Sequence, residues 1–243
     1  MKVDLLAIGA HPDDIELSCS GTLLHHIALG KHVALVDLTR GELGSRGSAE
    51  IRDVEAARAA EMMGAQSRDN LRLADGFFTH QRDNLIAVAR KVRQYRPEIV
   101  LANAIRDRHP DHGRAAKLIA DACFIAGLVK VDIRDATGAV LPPHRPRALY
   151  HYIQDYNIEP DFVVDISPYI EQKEALILAF RTQFYTDDPR VAADAPQTPI
   201  SGKDFLDFLR ARARTYGRHA GFEYAEGFTV SRKMGVRNLF DLA

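Results

Sequence analysis

The chain alternates short apolar runs with stretches in which apolar residues recur every three or four positions. Residues 3–9 (Val3-Asp4-Leu5-Leu6-Ala7-Ile8-Gly9) are almost continuously apolar, as suits a strand covered on both faces. Residues 15–29 turn helical, with Leu17, Leu24, Ile27 and Ala28 on one face and Gly30 as the stop. Residues 31–38 read as a second strand and residues 49–63 as a second helix, stopped by Gly64. Residues 70–73 read as a short edge strand. Leu85, Val88, Val92 and Tyr95 give a third helix its apolar face, and Pro97 ends it. A strand over residues 98–103 follows, then a helix over residues 112–127 with Leu118, Ile119, Ala122 and Ile125 turned inward. Residues 147–153 and 161–166 read as strands, Ile177, Phe180 and Phe184 mark a helix, and residues 205–216 form the last helix. The tail beyond mixes glycines with alternating polar and apolar residues and receives no element.

Strands alternating with helices predict an α/β fold, Rossmann-like, with a mostly parallel sheet and helices on both faces. No linker or low-complexity stretch divides the chain, so residues 1–243 are read as one domain. Three segments stand outside the elements. The loop over residues 39–47 holds three glycines and two arginines, which lets backbone approach a ligand closely. Residues 135–147 form a loop with three prolines and a glycine. Residues 186–203, also with three prolines, are long for a connection in a compact domain, and such loops are usually functional or mobile.

Composition changes this picture little. With 46% hydrophobic and 27% charged residues the chain is ordinary for a globular protein. A net charge of -1 gives no reason to expect nucleic acid or an anionic membrane as partner. Cys19 and Cys123 are isolated, more like small core residues of a reduced protein than a disulfide. No apolar run has the length of a membrane span, and no basic start with a cleavage site precedes the first strand. The expectation is a cytoplasmic protein.

The chemistry lies in two similar segments. Ala10-His11-Pro12-Asp13-Asp14 follows the first strand, and His109-Pro110-Asp111-His112 follows the strand over residues 98–103. Ligands of open parallel sheets bind beyond the carboxyl ends of the strands, near a switch in strand order. If these two strands are neighbours at that switch, His11, Asp14 and His112 meet in one crevice. Imidazole nitrogen with carboxylate oxygen, and no thiolate, is the ligand set of catalytic rather than structural zinc. Zinc lowers the pKa of bound water from about 16 to about 7. A carboxylate beside a ligand is then well placed as general base. Asp13 and Asp14 can divide these tasks, because adjacent residues project differently at a turn. His109, as an imidazolium, could stabilise an oxyanion or protonate a leaving amine, and Asp111 could orient an imidazole. Taken singly, each segment has a simpler explanation. Asp13 or Asp14 could cap the helix near Ile15, and His112 could merely begin its own helix. Both segments after strands of one α/β chain are not explained in that way.

These segments resemble the signature of the LmbE-like (PIG-L) zinc deacetylases. The likeness extends through Gly41-Glu42-Leu43-Gly44-Ser45-Arg46-Gly47, Arg52 with Glu55-Ala56, Asp107-Arg108-His109-Pro110-Asp111-His112, Gln183-Phe184-Tyr185 and residues 212–228. It is nearest to the bacillithiol-biosynthetic deacetylases, which act on N-acetylglucosaminyl malate. The resemblance implies zinc, or iron(II) in the cell, on His11, Asp14 and His112, and Asp13 as general base. It implies His109 at the tetrahedral intermediate with Asp111 behind it, and substrate contacts from Arg52, Glu42 and Arg108. The implied substrate is a small N-acetyl sugar, and the implied assembly a homo-oligomer. A different metal-dependent hydrolase, or a sugar- or nucleotide-binding module whose acidic residues only cap helices, are the rival readings.

Other features carry less. The loop at residues 39–47 lacks the glycine pattern of a phosphate loop. Tyr150, His151 and Tyr152 could line a pocket or pack in the core. His25, His26, His32 and His80 have no partner at ligand spacing. The arginines between Arg210 and Arg218 could bind an acidic substrate group, although a solvated helix face or a subunit contact explains them as simply.

Overall fold

A computed structural model describes residues 1–188 and 196–242. Strands β1 (Leu5–Gly9), β2 (Val33–Asp37), β3 (Ser67–Asn70), β4 (Ile99–Ala102), β5 (Ala148–Tyr152), β6 (Phe162–Asp165) and β7 (Ala225–Val230) form one seven-stranded sheet. Their order is β3-β2-β1-β4-β5-β7-β6. The pairings from β3 across to β5 are parallel, while β7 runs antiparallel to β5 and β6. The helices are α1 (Asp14–Ala28), α2 (Ala49–Met63), α3 (Arg82–Tyr95), α4 (Pro110–Ala126), α5 (Ile170–Leu178) and α6 (Lys203–Ala220). Strand β1 pairs with β2 on one side and β4 on the other, so the order switches between β1 and β4 as expected.

Side chains alternate across a strand, and β1 therefore feeds two cores. Leu6 and Ile8 pack with Val88 and Val92 of α3 and Leu118 and Ile119 of α4. Leu5 and Ala7 pack with Ile15, Cys19 and Leu23 of α1, Met63 of α2 and Leu176 of α5. Burying each large aliphatic side chain in this way is worth about 1.5–3 kcal/mol. Cys19 and Cys123 are both buried and unpaired.

Three element expectations need correction. Strand β3 lies at Ser67–Asn70 rather than at 70–73. It is polar because Arg68 reaches inward to Asp37 and Glu16, and Leu71 and Leu73 pack against the core just beyond it. The helix expected to include Phe180 and Phe184 ends at Leu178. Both phenylalanines are fully buried in the following turns, where the Thr182 N–H donates to the Glu55 carboxylate (2.8 Å) and not to a helical ladder. The tail contains β7, which lies inside the sheet. Glu226 and Gly227 interrupt its apolar pattern. Within the loop expected over residues 186–203, residues 189–195 lie outside the described residues, and so does that part of the expectation of a functional or mobile loop.

Glu226 explains its own strand's polarity. Its carboxylate accepts from the backbone N–H groups of Gly21 (3.0 Å) and Thr22 (2.7 Å) in the middle of α1. Lys173 of α5 pairs with it at 2.6 Å and donates to the carbonyls of Glu16 (3.2 Å) and Leu17 (2.8 Å). Both side chains are buried, so the pair is tied into the backbone of α1 with its hydrogen-bonding capacity largely used. Removing one partner strands the other charge. Glu226→Ala should lower the unfolding free energy by about 3–5 kcal/mol in urea denaturation. A loss below about 1 kcal/mol would mean that the pair does not hold α1.

Candidate active site

The pairing of Leu5–Ala7 with Ile99–Leu101 brings the ends of β1 and β4 together, and each His-Pro-Asp segment leaves from one of them. At the first, Asp13 takes φ 119°, a left-handed conformation rare for a non-glycine residue and costing of order 1–3 kcal/mol. The two neighbouring carboxyls then diverge. Asp14 accepts from the His11 N–H (3.0 Å), Asn103 Nδ2 (2.9 Å) and Gln154 Nε2 (3.0 Å). Asp13 faces Arg52 Nη2 at 3.7 Å, and its side chain caps no helix N–H. At the second segment Pro110 opens α4, and His109 Nδ1 accepts the Asp111 N–H at 3.3 Å. That bond fixes a neutral His109 as the Nε2–H tautomer.

The imidazoles are arranged with equal care. His11 places Nδ1 3.6 Å from Asp14 Oδ2, and its Nε2 lies 3.1 Å from Asp75 and 3.3 Å from Asp111. His112 places Nε2 3.1 Å from Asp14 Oδ1, and its Nδ1 bonds to Asp107. Each ring therefore has its far nitrogen fixed by carboxylate and its near nitrogen turned to Asp14. Such carboxylate–histidine pairs are the usual support of metal-bound imidazole. Among the described residues, His11, His109 and His112 also bring ligand atoms within 4.8 Å of one another, as do His11, Asp75 and Asp111. The donor set fits a divalent cation of the zinc or iron(II) type: two imidazoles and a carboxylate at the centre, with further carboxylates around them.

Electrostatics agree with this placement. Burial would depress the His112 pKa, yet the Asp14 carboxylate and the bond to Asp107 outweigh it and hold it at about 9. His11 is likewise held well above the usual value, burial being overcome by Asp111, Asp14 and Asp75. The cluster thus favours positive charge. Asp14 stays ionised: burial pushes its pKa up, but His112 and His11 bring it well below the usual carboxylate range. Asp13 behaves differently, and burial raises it to about 7 against the opposing charge of Arg52. His109 is lowered by burial and then by the charges of His11 and His112, which favours its uncharged form.

A cavity of about 250 Å³ opens over this cluster. His11, Asp13, Asp14, His109, His112, Arg52 and Arg108 all line it, and Leu17, Ile200, Phe205 and Leu209 form an apolar wall. Asp111 is fully buried behind His11, accepting from the Gly76 N–H (2.8 Å) and Arg114 (2.6 Å). Arg52 bonds to Gln183 and passes so close to Gly41 (φ 65°) that a Cβ there would lie 1.8 Å from its Nη1. Arg108 pairs with Asp155 at 2.8 Å. Glu42 does not reach the cavity. Its carboxylate accepts from the N–H groups of Asp75 (3.0 Å) and Arg40 (3.1 Å) and so shapes the loop instead. His151 is buried and bonded to the Asn103 carbonyl (2.8 Å), and the Tyr152 hydroxyl to that of Ile8 (2.9 Å), so both are core. Sequence reasoning missed Asp75, Asn103, Gln154 and the role of Asp107. Only Asp107 carried a signal, two residues before the second His-Pro-Asp segment.

Comparison with known proteins gives this architecture a class. Residues 6–123 match the family model described as PIG-L, GlcNAc-PI de-N-acetylase, and the chain belongs to this PIG-L (LmbE-like) deacetylase family. The conserved protein TT1542 from Thermus thermophilus is 35% identical with a TM-score of 0.83, covering 97% of this chain and 98% of that one. N,N'-diacetylchitobiose deacetylase from Pyrococcus horikoshii is 25% identical with a TM-score of 0.77, over 99% and 88% of the two chains. A 1D-myo-inositol 2-acetamido-2-deoxy-alpha-D-glucopyranoside deacetylase from Saccharomonospora viridis is 28% identical over 74% of this chain and 84% of its own. The uncharacterized deacetylase YaiS from Escherichia coli is 32% identical over 44% of this chain, which spans 61% of the YaiS length.

The carboxylate behind His112 offers a test of the cluster that leaves every central group in place. Asp107→Asn should weaken zinc binding by about 10- to 100-fold in chelator competition, with the fold retained. Unchanged affinity would remove Asp107 from the supporting shell.

Proposed function

We propose that the protein is a metal-dependent N-deacetylase of a small N-acetylglucosaminide, with N-acetylglucosaminyl malate, a bacillithiol precursor, as substrate. The observation that carries this reading is the division of labour at the first segment. Asp14 is drawn to two imidazoles, while Asp13, turned away from them by its left-handed backbone, has a pKa of about 7. The relatives named for deacetylation of glucosamine derivatives support the sugar. The malate aglycone rests on the sequence resemblance.

His11 Nδ1, Asp14 and His112 Nε2 would hold the metal, which we take to be zinc. When bound, it would supply a Lewis acid that acidifies water and polarises the acetyl carbonyl. The residues do the rest. Asp13 takes the proton of the attacking water and later delivers it to the departing amine. His109 donates its Nε2–H to the oxygen that gains charge, and its Nδ1 bond to the Asp111 N–H holds the ring for that task. Arg52, facing Asp13, keeps the carboxylate from rising further and is placed to contact a sugar hydroxyl. Arg108 stands at the cavity wall as a further substrate contact.

Two measurements test this. The metal-loaded protein should free amine and acetate from N-acetylglucosaminyl malate and not phosphate from phosphoesters. Failure to free amine from any N-acetylglucosaminide in a panel would overturn the reading. Asp13→Asn should keep stoichiometric metal and lose about 10²–10⁴-fold in kcat. Because Asp13 must be ionised to accept a proton, wild-type activity should rise with pH through about 7. A wild-type rate in the variant would show that another group is the base.

A further inference from the structure

Of the four arginines clustered near the end of α6, two are paired on the surface. Arg210 pairs with Glu174 at 2.6 Å, and Arg214 with Glu223 at 3.1 Å. Arg212 points elsewhere. Phe205, Leu209 and Arg212 lie four and then three residues apart, so one stripe of α6 faces the cavity that contains His11 and Asp13. The other two arginines of that cavity are paired, Arg52 through Nη2 with Gln183 and Asp13, although its Nε has no hydrogen-bond partner, and Arg108 with Asp155. Among the described residues, Arg212 has no ion-pair partner, and its buried Nη1 has no hydrogen-bond partner. Its guanidinium lies 5.3 Å from the centre of the Phe208 ring, which restricts its plane.

A second group shares this condition. Ser18 is 3% exposed, and its Oγ has no partner. It stands one turn after Asp14 on α1 and lines the same cavity. Together with Arg212 it also lines a smaller recess of about 10 Å³, whose other charged groups, Lys173 and Glu226, are paired with each other and neutral as a pair. Two donors buried without acceptors are costly, and the cost is relieved when a ligand brings negative charge. The acetamide that reacts is neutral. We infer that Arg212, with Ser18 beside it, binds an anionic group, carboxylate or phosphate, on the aglycone of the substrate. The planar fork of arginine suits both anions.

This inference rests on the reading of the cavity as a glucosaminide site, but its test does not require turnover. Binding of four ligands to the zinc-loaded protein is measured by calorimetry: methyl α-D-glucosaminide, α-D-glucosaminyl malate, α-D-glucosamine 1-phosphate and acetate. Wild type should prefer at least one anionic glucosaminide to the methyl glucosaminide by about tenfold or more. Arg212→Met should reduce that preference by about 10- to 100-fold, and the anion whose binding falls identifies carboxylate or phosphate. Equal binding of all three glucosaminides by wild type overturns the proposal. So does an equal loss on charged and neutral ligands in Arg212→Met, or Arg212-dependent binding of acetate alone. If Arg212→Met does not fold, Ser18→Ala decides: the preference should fall severalfold, and an unchanged ratio overturns the proposal. A failure of the deacetylase reading shows separately, as absence of freed amine.

Discussion

The helix that begins at the active site is buried on nearly every side and is nonetheless polar. In α1 the residues Asp14, Glu16, Ser18, Ser20 and Thr22 are all buried, together with Ile15, Cys19 and Leu23. A buried charge is tolerable only when it is paired and hydrogen-bonded. The surrounding structure supplies the partners. Glu16 meets Arg68 of β3, which also pairs with Asp37 at the end of β2. The middle of the helix meets Lys173 and Glu226, from α5 and β7. Asp14 meets the two imidazoles together with Asn103 and Gln154. Strands β2, β3 and β7 and helices α4 and α5 are thus tied to α1 by charge, and the position of Asp13 and Asp14 follows from that fastening.

This also explains which parts of the fold were legible in the sequence. Strands β1, β2 and β4 and the helices around them follow the apolar pattern, because their environment is apolar on the faces that decide the period. Strand β3 and strand β7 do not, since Arg68 pairs with Glu16 of α1, and Glu226 accepts from the α1 backbone and pairs with Lys173, in place of side chains that would fill a core. The pattern at Ile177, Phe180 and Phe184 misled for the opposite reason: three buried apolar residues at helical spacing need only a common core, and consecutive turns provide it as well as a helix.

The candidate site was legible where chemistry is concentrated in sequence and illegible where it is assembled in space. His11, Asp14, His109 and His112 stand in two short segments, and adjacency of β1 and β4 is enough to unite them. Asp75, Asn103 and Gln154 come from three separate loops, each contributing one residue that no motif marks. Glu42 shows the converse. It lies within a recognisable segment, but its carboxylate is consumed in holding the loop to Asp75, which itself faces His11. Its influence on the site is through that loop.

The difference between Asp13 and Asp14 is then a matter of backbone as much as of charge. Both are buried, and each lies beside a positive group. Asp14 has three donors within 3.0 Å and two imidazoles, so the ionised form is fixed and cannot serve as a proton carrier. Asp13 has a single arginine at 3.7 Å, and burial offsets it to leave a pKa of about 7. A residue with ordinary helical φ at position 13 would direct its carboxylate differently relative to Asp14. The strain at φ 119° is therefore part of how two identical side chains, adjacent in sequence, acquire different proton affinities.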